Sequence, residues 1–392
     1  MSFTLQPATE EDFVDREDIL EEMLQTLTDE KVRMGYALVG PRRIGKTSIL
    51  KEVARRLNQR DDIVAVYFSL WDIIENTAVD LCNQITISII EAVKKRLSLK
   101  YKIAHILKVP ATKFFDFLKT IDVKISIFED IEISLAAGKK GEMDINLLVK
   151  KVFEFAERLA EELNLRLVLI LDEFPSIMDV KNGTKLGEGI IKKIRTIQED
   201  LTRTILCVSG SIRRTMDVAV LSPSAAFYRQ FVIRHIGPFD ISVVRALMIR
   251  NIQGEIKEEA LEELYKLTKG IPFYVQFIGR ELNRTGEKII NQELVQKAFG
   301  DFLAQEGDIL FFEEFKSFSD KEKGIICAMA VHNLHTPKEI CQTTKSNSNL
   351  ISRYIEYFID KGILLKQDKG LYEFTDPIFK LWLKKRYSPT IL

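Results

Sequence analysis

What this sequence lacks first is a net charge. Lys+Arg and Asp+Glu both number 57 in 392 residues, so no bulk field draws the chain to nucleic acid or a membrane, and any such affinity needs a local patch. Cysteine is scarce. Cys82, Cys207, Cys327 and Cys341 show no CxxC or other metal-ligand spacing, and each lies in or beside an apolar run. They read as buried free thiols in a reducing compartment. His332 and His335, near Cys327 and Cys341, have the wrong spacing for zinc. No stretch of 18 uncharged apolar residues occurs, which excludes a membrane-spanning helix. The opening MSFTLQPATEEDFVDRE has no basic region followed by an apolar one, so a signal peptide is not expected and the expected location is cytoplasmic. Repeats and low-complexity segments are missing too. The remaining balance, 46% apolar and 29% charged, is that of a globular chain, and the length suggests two or three domains.

Strands and helices alternate through residue 236. Residues 15–33 predict a helix with Lys31 and Arg33 at its end, Tyr36–Val39 a strand, and Lys46–Leu57 a helix. Ile63–Leu70 predicts a second strand and 77–97 an amphipathic helix. From about 98 to 140 a short helix (Lys113–Thr120) and a hairpin around Glu129 and Asp130 read as an insertion. A charged helix, Asp144–Glu162, leads into Leu167–Leu171, an aliphatic run of the kind buried on both faces of a sheet. A helix at 187–201 and a strand at Thr204–Val208 follow. The expected fold is α/β, a parallel sheet with helices on both faces. After Pro238 the pattern turns helical, broken at Gly270-Ile271-Pro272, and a further unit starts near Ser319. The expected division is 1–238 for the core, 239–312 for a helical lid and 313–392 for the C-terminal unit.

Gly40-Pro41-Arg42-Arg43-Ile44-Gly45-Lys46-Thr47 fits GxxxxGK[ST] between a strand and a helix, the context that the phosphate-binding loop requires. Its glycines let backbone N–H groups face phosphates, and the helix N-terminus adds positive potential. Lys46 is expected to reach the β- and γ-phosphates and Thr47 to ligate Mg²⁺. The run Leu167–Leu171 ends in Asp172-Glu173. The first carboxylate is placed to hold Mg²⁺ through water, and the second to act as general base on an attacking water. The expected reaction is therefore ATP hydrolysis, with ATP or ADP and Mg²⁺ as ligands. No NKxD-type guanine reader and no LSGGQ-like stretch is present, which argues against a GTPase and a transporter ATPase.

With both motifs placed, the chain resembles the archaeal ATPase family in the signal-transduction (STAND) branch of the AAA+ superfamily. The residues that carry the likeness are Phe13-Val14-Asp15-Arg16-Glu17, GPRRIGKTS at 40–48, LDEFPSI at 171–177, Ser209-Gly210-Ser211 and Gly270-Ile271-Pro272-Phe273-Tyr274. The resemblance implies that Val14–Arg16 border the adenine and that Ser48 belongs to the loop. It implies that Ser209 or Ser211 stands at the sensor position, and that Pro272 brings the lid to the base. Arg213, Arg214 and Arg229 are candidates for a γ-phosphate contact. A clear sensor arginine of the ring-forming type is missing from the lid, where Arg280 comes nearest.

In the C-terminal unit, Ser319 opens a helix to about His332, and Thr336-Pro337-Lys338-Glu339 is a capping box with proline at N1. Ser346 opens a third helix, which Gly362 stops. Ile363–Lys366 and Leu371–Thr375 flank Gln367–Gly370 as a wing. Three helices and a wing predict a winged helix-turn-helix. From Ser317 to Leu392 it carries 12 Lys+Arg against 8 Asp+Glu. The start of the third helix (Lys345, Ser346, Asn347, Ser348, Asn349, Ser352, Arg353) and Lys366 and Lys369 of the wing suit duplex DNA. Glu356 and Asp360 on the same helix weigh against DNA, and winged helices also serve as protein-interaction modules. The expected function is an ATP-dependent switch that couples nucleotide state to this winged helix. The alternatives are a DNA-binding initiator and a nucleotide-stabilised scaffold.

Overall fold

The computed structural model describes residues 3–101, 144–211, 216–221, 225–227 and 229–387. The short helix and hairpin expected between 98 and 140 lie outside the described residues beyond Tyr101. So do Arg213 and Arg214. The central sheet has five strands: β1 (Gly35–Val39), β2 (Ile63–Ser69), β3 (Arg166–Asp172), β4 (Thr204–Gly210) and β5 (Phe231–His235). They lie in the order β2-β3-β4-β1-β5, every neighbouring pair parallel. β3 is buried along its whole length, as an unbroken aliphatic run demands. Its Val168 and Ile170 face one apolar cluster, and Leu167, Leu169 and Leu171 face the other. Helices α1 (Glu17–Thr28) and α2 (Lys46–Leu57) cover the first face. Helices α3 (Ala78–Tyr101), α4 (Ile145–Glu162) and α5 (Gly187–Gln198) cover the second.

The helix expected over 15–33 is shorter at both ends. Asp15 and Arg16 have φ of 65° and 73°, which delays its start to Glu17. Its end comes at Thr28, because the Asp29 side chain accepts the Lys31 N–H at 2.9 Å and so offers the backbone a turn in place of another helical bond. Lys31 and Arg33 therefore lie beyond the last turn.

Past β5 come α6 (Ile241–Asn251), α7 (Glu258–Thr268), α8 (Pro272–Arg284) and α9 (Gln292–Ala304). This stretch is not purely helical, since Glu255–Ile256 pairs in parallel with Ile289–Ile290. Then follow α10 (Glu306–Lys316), α11 (Asp320–Val331), α12 (Pro337–Thr344) and α13 (Ser348–Asp360). A hairpin of β6 (Leu364–Asp368) and β7 (Leu371–Phe374) leads to α14 (Pro377–Tyr387). Capping boxes start α11 at Ser319 and α12 at Thr336. The cap of α13 is Asn347, whose side chain accepts the Leu350 N–H at 2.8 Å, so the helix opens two residues after Ser346. Phe311 of α10 packs tilted, and Phe315 edge-on, against Trp382 of α14. Position 312, the boundary expected before the C-terminal unit, falls inside α10, which packs on α9 as well as on the C-terminal elements. One contiguous apolar core runs from α1 and α2 through α6–α9 into these elements. Cys82 and Cys207 are buried, while Cys327 and Cys341, expected to be buried as well, are half-exposed. No helix among the described residues is long and apolar enough to cross a membrane.

Candidate nucleotide site

Register decides where the motifs meet. Val39 pairs with Gly210 and with His235, and Ser69 with Asp172. The loop after β1, the end of β3 and the end of β4 therefore share the C-terminal edge of a parallel sheet, where ligands of open α/β folds bind. Two glycines of the loop are required by its geometry. A Cβ on Gly40 would stand 2.4 Å from the Ile236 carbonyl oxygen, and Gly45 has φ of 93°, a backbone open to glycine at little cost. Lys46 is buried, and its Nζ donates to the carbonyls of Gly40 and Pro41 at 2.8 Å each. The ammonium thus sits inside the curl of the loop.

Asp172 is the hub of the opposite wall. Its Oδ2 accepts from Thr47 Oγ1 and from the Tyr67 hydroxyl, both at 2.7 Å. Its Oδ1 accepts from Ser209 and from the Glu173 N–H. Ser209, expected at a sensor position, is thus held on the acidic residue of β3. Ser211 instead points to a small cavity on the outer side of the loop. Glu173 has φ of 53° and lines the cleft beside Trp71. Burial and the neighbouring Asp172 carboxylate push the Tyr67 phenol above its ordinary range, so it stays protonated and donates.

A cleft of about 500 Å³ extends from Lys46 to Pro272 and Phe273 of α8, a volume suited to a small-molecule ligand. Val14, Arg16, Ile44, Phe239, Pro272 and Phe273 give it an apolar slot at the far end. Arg16 is fixed there, donating to the Gly237 carbonyl and lying over the Phe239 ring at 5.1 Å. Burial lowers its pKa. The N-terminal residues form a strap over the cleft. Phe3 packs where a Gly279 Cβ would stand, 2.4 Å from its ring, and the Ala8 N–H donates to Ser48 Oγ at 3.1 Å. The Glu10 N–H donates to Glu52, a fully buried carboxylate also held by Arg55 and Arg56.

The sequence did not point to the contacts on the outer side of the loop. Arg43 has φ of 66°, and its guanidinium reaches Asp376 Oδ2 at 2.8 Å and the Tyr274 hydroxyl at 3.2 Å. It also lies 5.0 Å from the Phe311 ring centroid. Asp376 accepts from Tyr274 with the same oxygen, while its Oδ1 caps α14 through the Ile378 N–H at 2.9 Å. Arg42 pairs with Glu314 at 3.3 Å. Residues of the loop, the lid and the C-terminal elements therefore meet at one guanidinium. Arg229 is exposed, with φ of 62°. Arg280 stacks on Phe277 and pairs with Glu281, and it is not among the residues that line the cleft.

A family of ATPase domains found predominantly in Archaea matches residues 13–278. The chain belongs to that family. An uncharacterized ATP-binding protein of Methanocaldococcus jannaschii, MJ1659, is 23% identical over 382 residues, 91% of this chain and 94% of the relative. The Walker-type ATPase PABY2304 of Pyrococcus abyssi shares the fold at TM-score 0.70 and 18% identity, over 98% of this chain and all of its own. The Aeropyrum pernix ORC1 protein, solved in complex with DNA, shares it at TM-score 0.52 and 14% identity, over 97% of this chain and 95% of its own. The fold is thus that of P-loop ATPases with helical C-terminal elements, and this archaeal-type ATPase is a nucleotide-binding protein.

Proposed function

We propose that this ATPase is a slow, Mg²⁺-dependent switch of the signal-transduction type, in which nucleotide state governs the placement of a C-terminal winged helix. The hard oxygen donors Thr47 Oγ1 and Asp172 suit Mg²⁺. When bound, the ion would neutralise charge on the β- and γ-phosphate oxygens. Lys46 binds the same oxygens, and the backbone from Gly40 to Thr47 orients the phosphates. Val14, Arg16 and Pro272 hold the base in the slot. The Glu173 carboxylate takes a proton from the water that attacks the γ-phosphorus, so the attacking oxygen does not build up positive charge as it bonds and ADP departs.

The observation that carries the coupling is Arg43. Its backbone belongs to the phosphate loop and its side chain to the contact with Tyr274 and Asp376. A loop that shifts around a γ-phosphate moves this guanidinium, and the lid and the C-terminal elements feel the shift together. Coupling of this kind works only to the extent that ATP and ADP differ in affinity for the two placements.

A second reading, a DNA-binding initiator, has support in the exposure of α13. Ser348, Asn349, Ser352 and Arg353 at its start are exposed, while Lys361–Ile363 at its other end border the phosphate loop. The base-reading end of the helix is therefore accessible in the docked arrangement. The fold likeness to the DNA-bound ORC1 protein agrees with this reading.

Steady-state ATP turnover with and without duplex DNA, with Glu173→Gln as control, tests both. Slow turnover that the substitution abolishes while binding survives supports the switch. Stimulation by DNA supports the initiator. Wild-type turnover no faster than Glu173→Gln would sink the hydrolytic switch and leave a nucleotide-stabilised scaffold.

A further inference from the structure

Asp172 accepts four hydrogen bonds, from Thr47, Tyr67, Ser209 and the Glu173 N–H, which uses the roughly four lone-pair positions a carboxylate has. Waters on a divalent cation are donors too. A cation held through water at Asp172 must therefore displace a protein donor. Three of the four are poorly placed to leave. The Glu173 N–H is main chain. Ser209 is fully buried. Thr47 can turn a lone pair to the metal and still donate its O–H to Asp172.

Tyr67 differs. It stands on β2 between Val66 and Phe68, the one hydroxyl in a strand of apolar residues up to Ser69, and its alternation puts it on the α2 side with Ala65. It is half-exposed, and Lys51 lies one turn beyond Thr47 on α2 with its ammonium 5.1 Å from the ring centroid. The oxygen it holds, Oδ2, is the one Thr47 also holds, and so faces the expected metal.

We propose that Tyr67 is a positioning residue that fills the metal-side lone pair of Asp172 and yields it to a metal-bound water. The inference rests on the metal site of the proposed function and deepens it. Metal entry then carries the cost of breaking a charge-assisted hydrogen bond, partly offset because the phenol regains water. Removing the hydroxyl removes that cost.

The test is titration of Mn²⁺ into the complex of the whole protein with ADP, read by the electron-paramagnetic signal of the free ion, for wild type and Tyr67→Phe. Tyr67→Phe is expected to bind Mn²⁺ about tenfold tighter, with ADP affinity in chelator unchanged. Its melting temperature should fall only in chelator and match wild type once Mn²⁺ is bound. Equal or weaker Mn²⁺ binding, or the same loss of melting temperature with and without metal, overturns the proposal. Failure of wild type to bind Mn²⁺ overturns it together with the metal site. Absence of ATP turnover with Mn²⁺ binding intact overturns only the hydrolytic reading.

Discussion

On its inner side the phosphate loop meets Lys46, Thr47 and Asp172, where one carboxylate alone takes four donors. On its outer side Arg42 and Arg43 reach the C-terminal elements around a cavity of about 30 Å³. That cavity is bordered by Ser211 and Thr375, whose buried hydroxyls have no partner. A saturated polar network is rigid and specific. Each unmet buried hydroxyl costs about 1–3 kcal/mol. The two sides of a single loop thus differ in how completely their buried polar groups are paired.

The largest effect that would break this contrast lies on the inner side. Glu173→Gln should lower turnover by about 10²- to 10⁴-fold with nucleotide affinity retained in equilibrium binding; a loss of binding instead would make Glu173 a structural residue. Next comes the wall of α2. Burial would raise the pKa of Glu52, but hydrogen bonds led by that from Arg55 lower it from 4.5 to about 2. A depressed carboxylate stabilises the fold above its unfolded pKa, and that stability is lost as pH falls from about 4.5 toward about 2. Glu52→Gln should therefore cost about 3 kcal/mol at neutral pH and flatten the dependence of urea stability on pH in that window. A cost that stays the same down to pH 2 would contradict it.

Asp376→Asn keeps the helix cap and removes the charge opposite Arg43. Its expected cost is about 1–3 kcal/mol, seen as faster amide exchange in α14 while α2 stays protected. Equal loosening in α2 would mean that the two sides of the loop are one unit. The smallest effect sharpens the comparison. Ser211→Ala deletes an unpartnered hydroxyl and should raise stability, by about 1 kcal/mol. A loss instead would show that a trapped water joins Ser211 to Thr375, for which the cavity has room.

Gly40–Thr47 and Asp172-Glu173 were legible because their chemistry is local: a turn that needs glycine and a strand that ends in acid. The parallel sheet was legible for the same reason, in aliphatic runs such as Leu167–Leu171. Tyr67 was not, since in sequence it is one more large residue in an apolar strand, and only the Ser69–Asp172 register puts its hydroxyl on a carboxylate. Asp376 was hidden behind its other task as the cap of α14. Arg43 was seen as part of the loop, but the direction of its side chain follows from a left-handed backbone and from packing more than 300 residues away in sequence. Long-range pairings have no periodicity to betray them.

The strap over the cleft has a further consequence. Phe3 is seated against Gly279 of α8, and Ala8 is tied to Ser48 at the start of α2. In the proposed site the base lies beneath these residues, and a nucleotide would leave only after they unlace. The lifetime of the bound product would then be governed by local opening of the N-terminal residues rather than by its affinity for the phosphate loop. Chasing labelled ADP from Phe3→Ala reads this directly; faster release is expected, and unchanged release would refute it. On those terms the N-terminal residues would act as the protein's clock, setting how long each turnover is remembered.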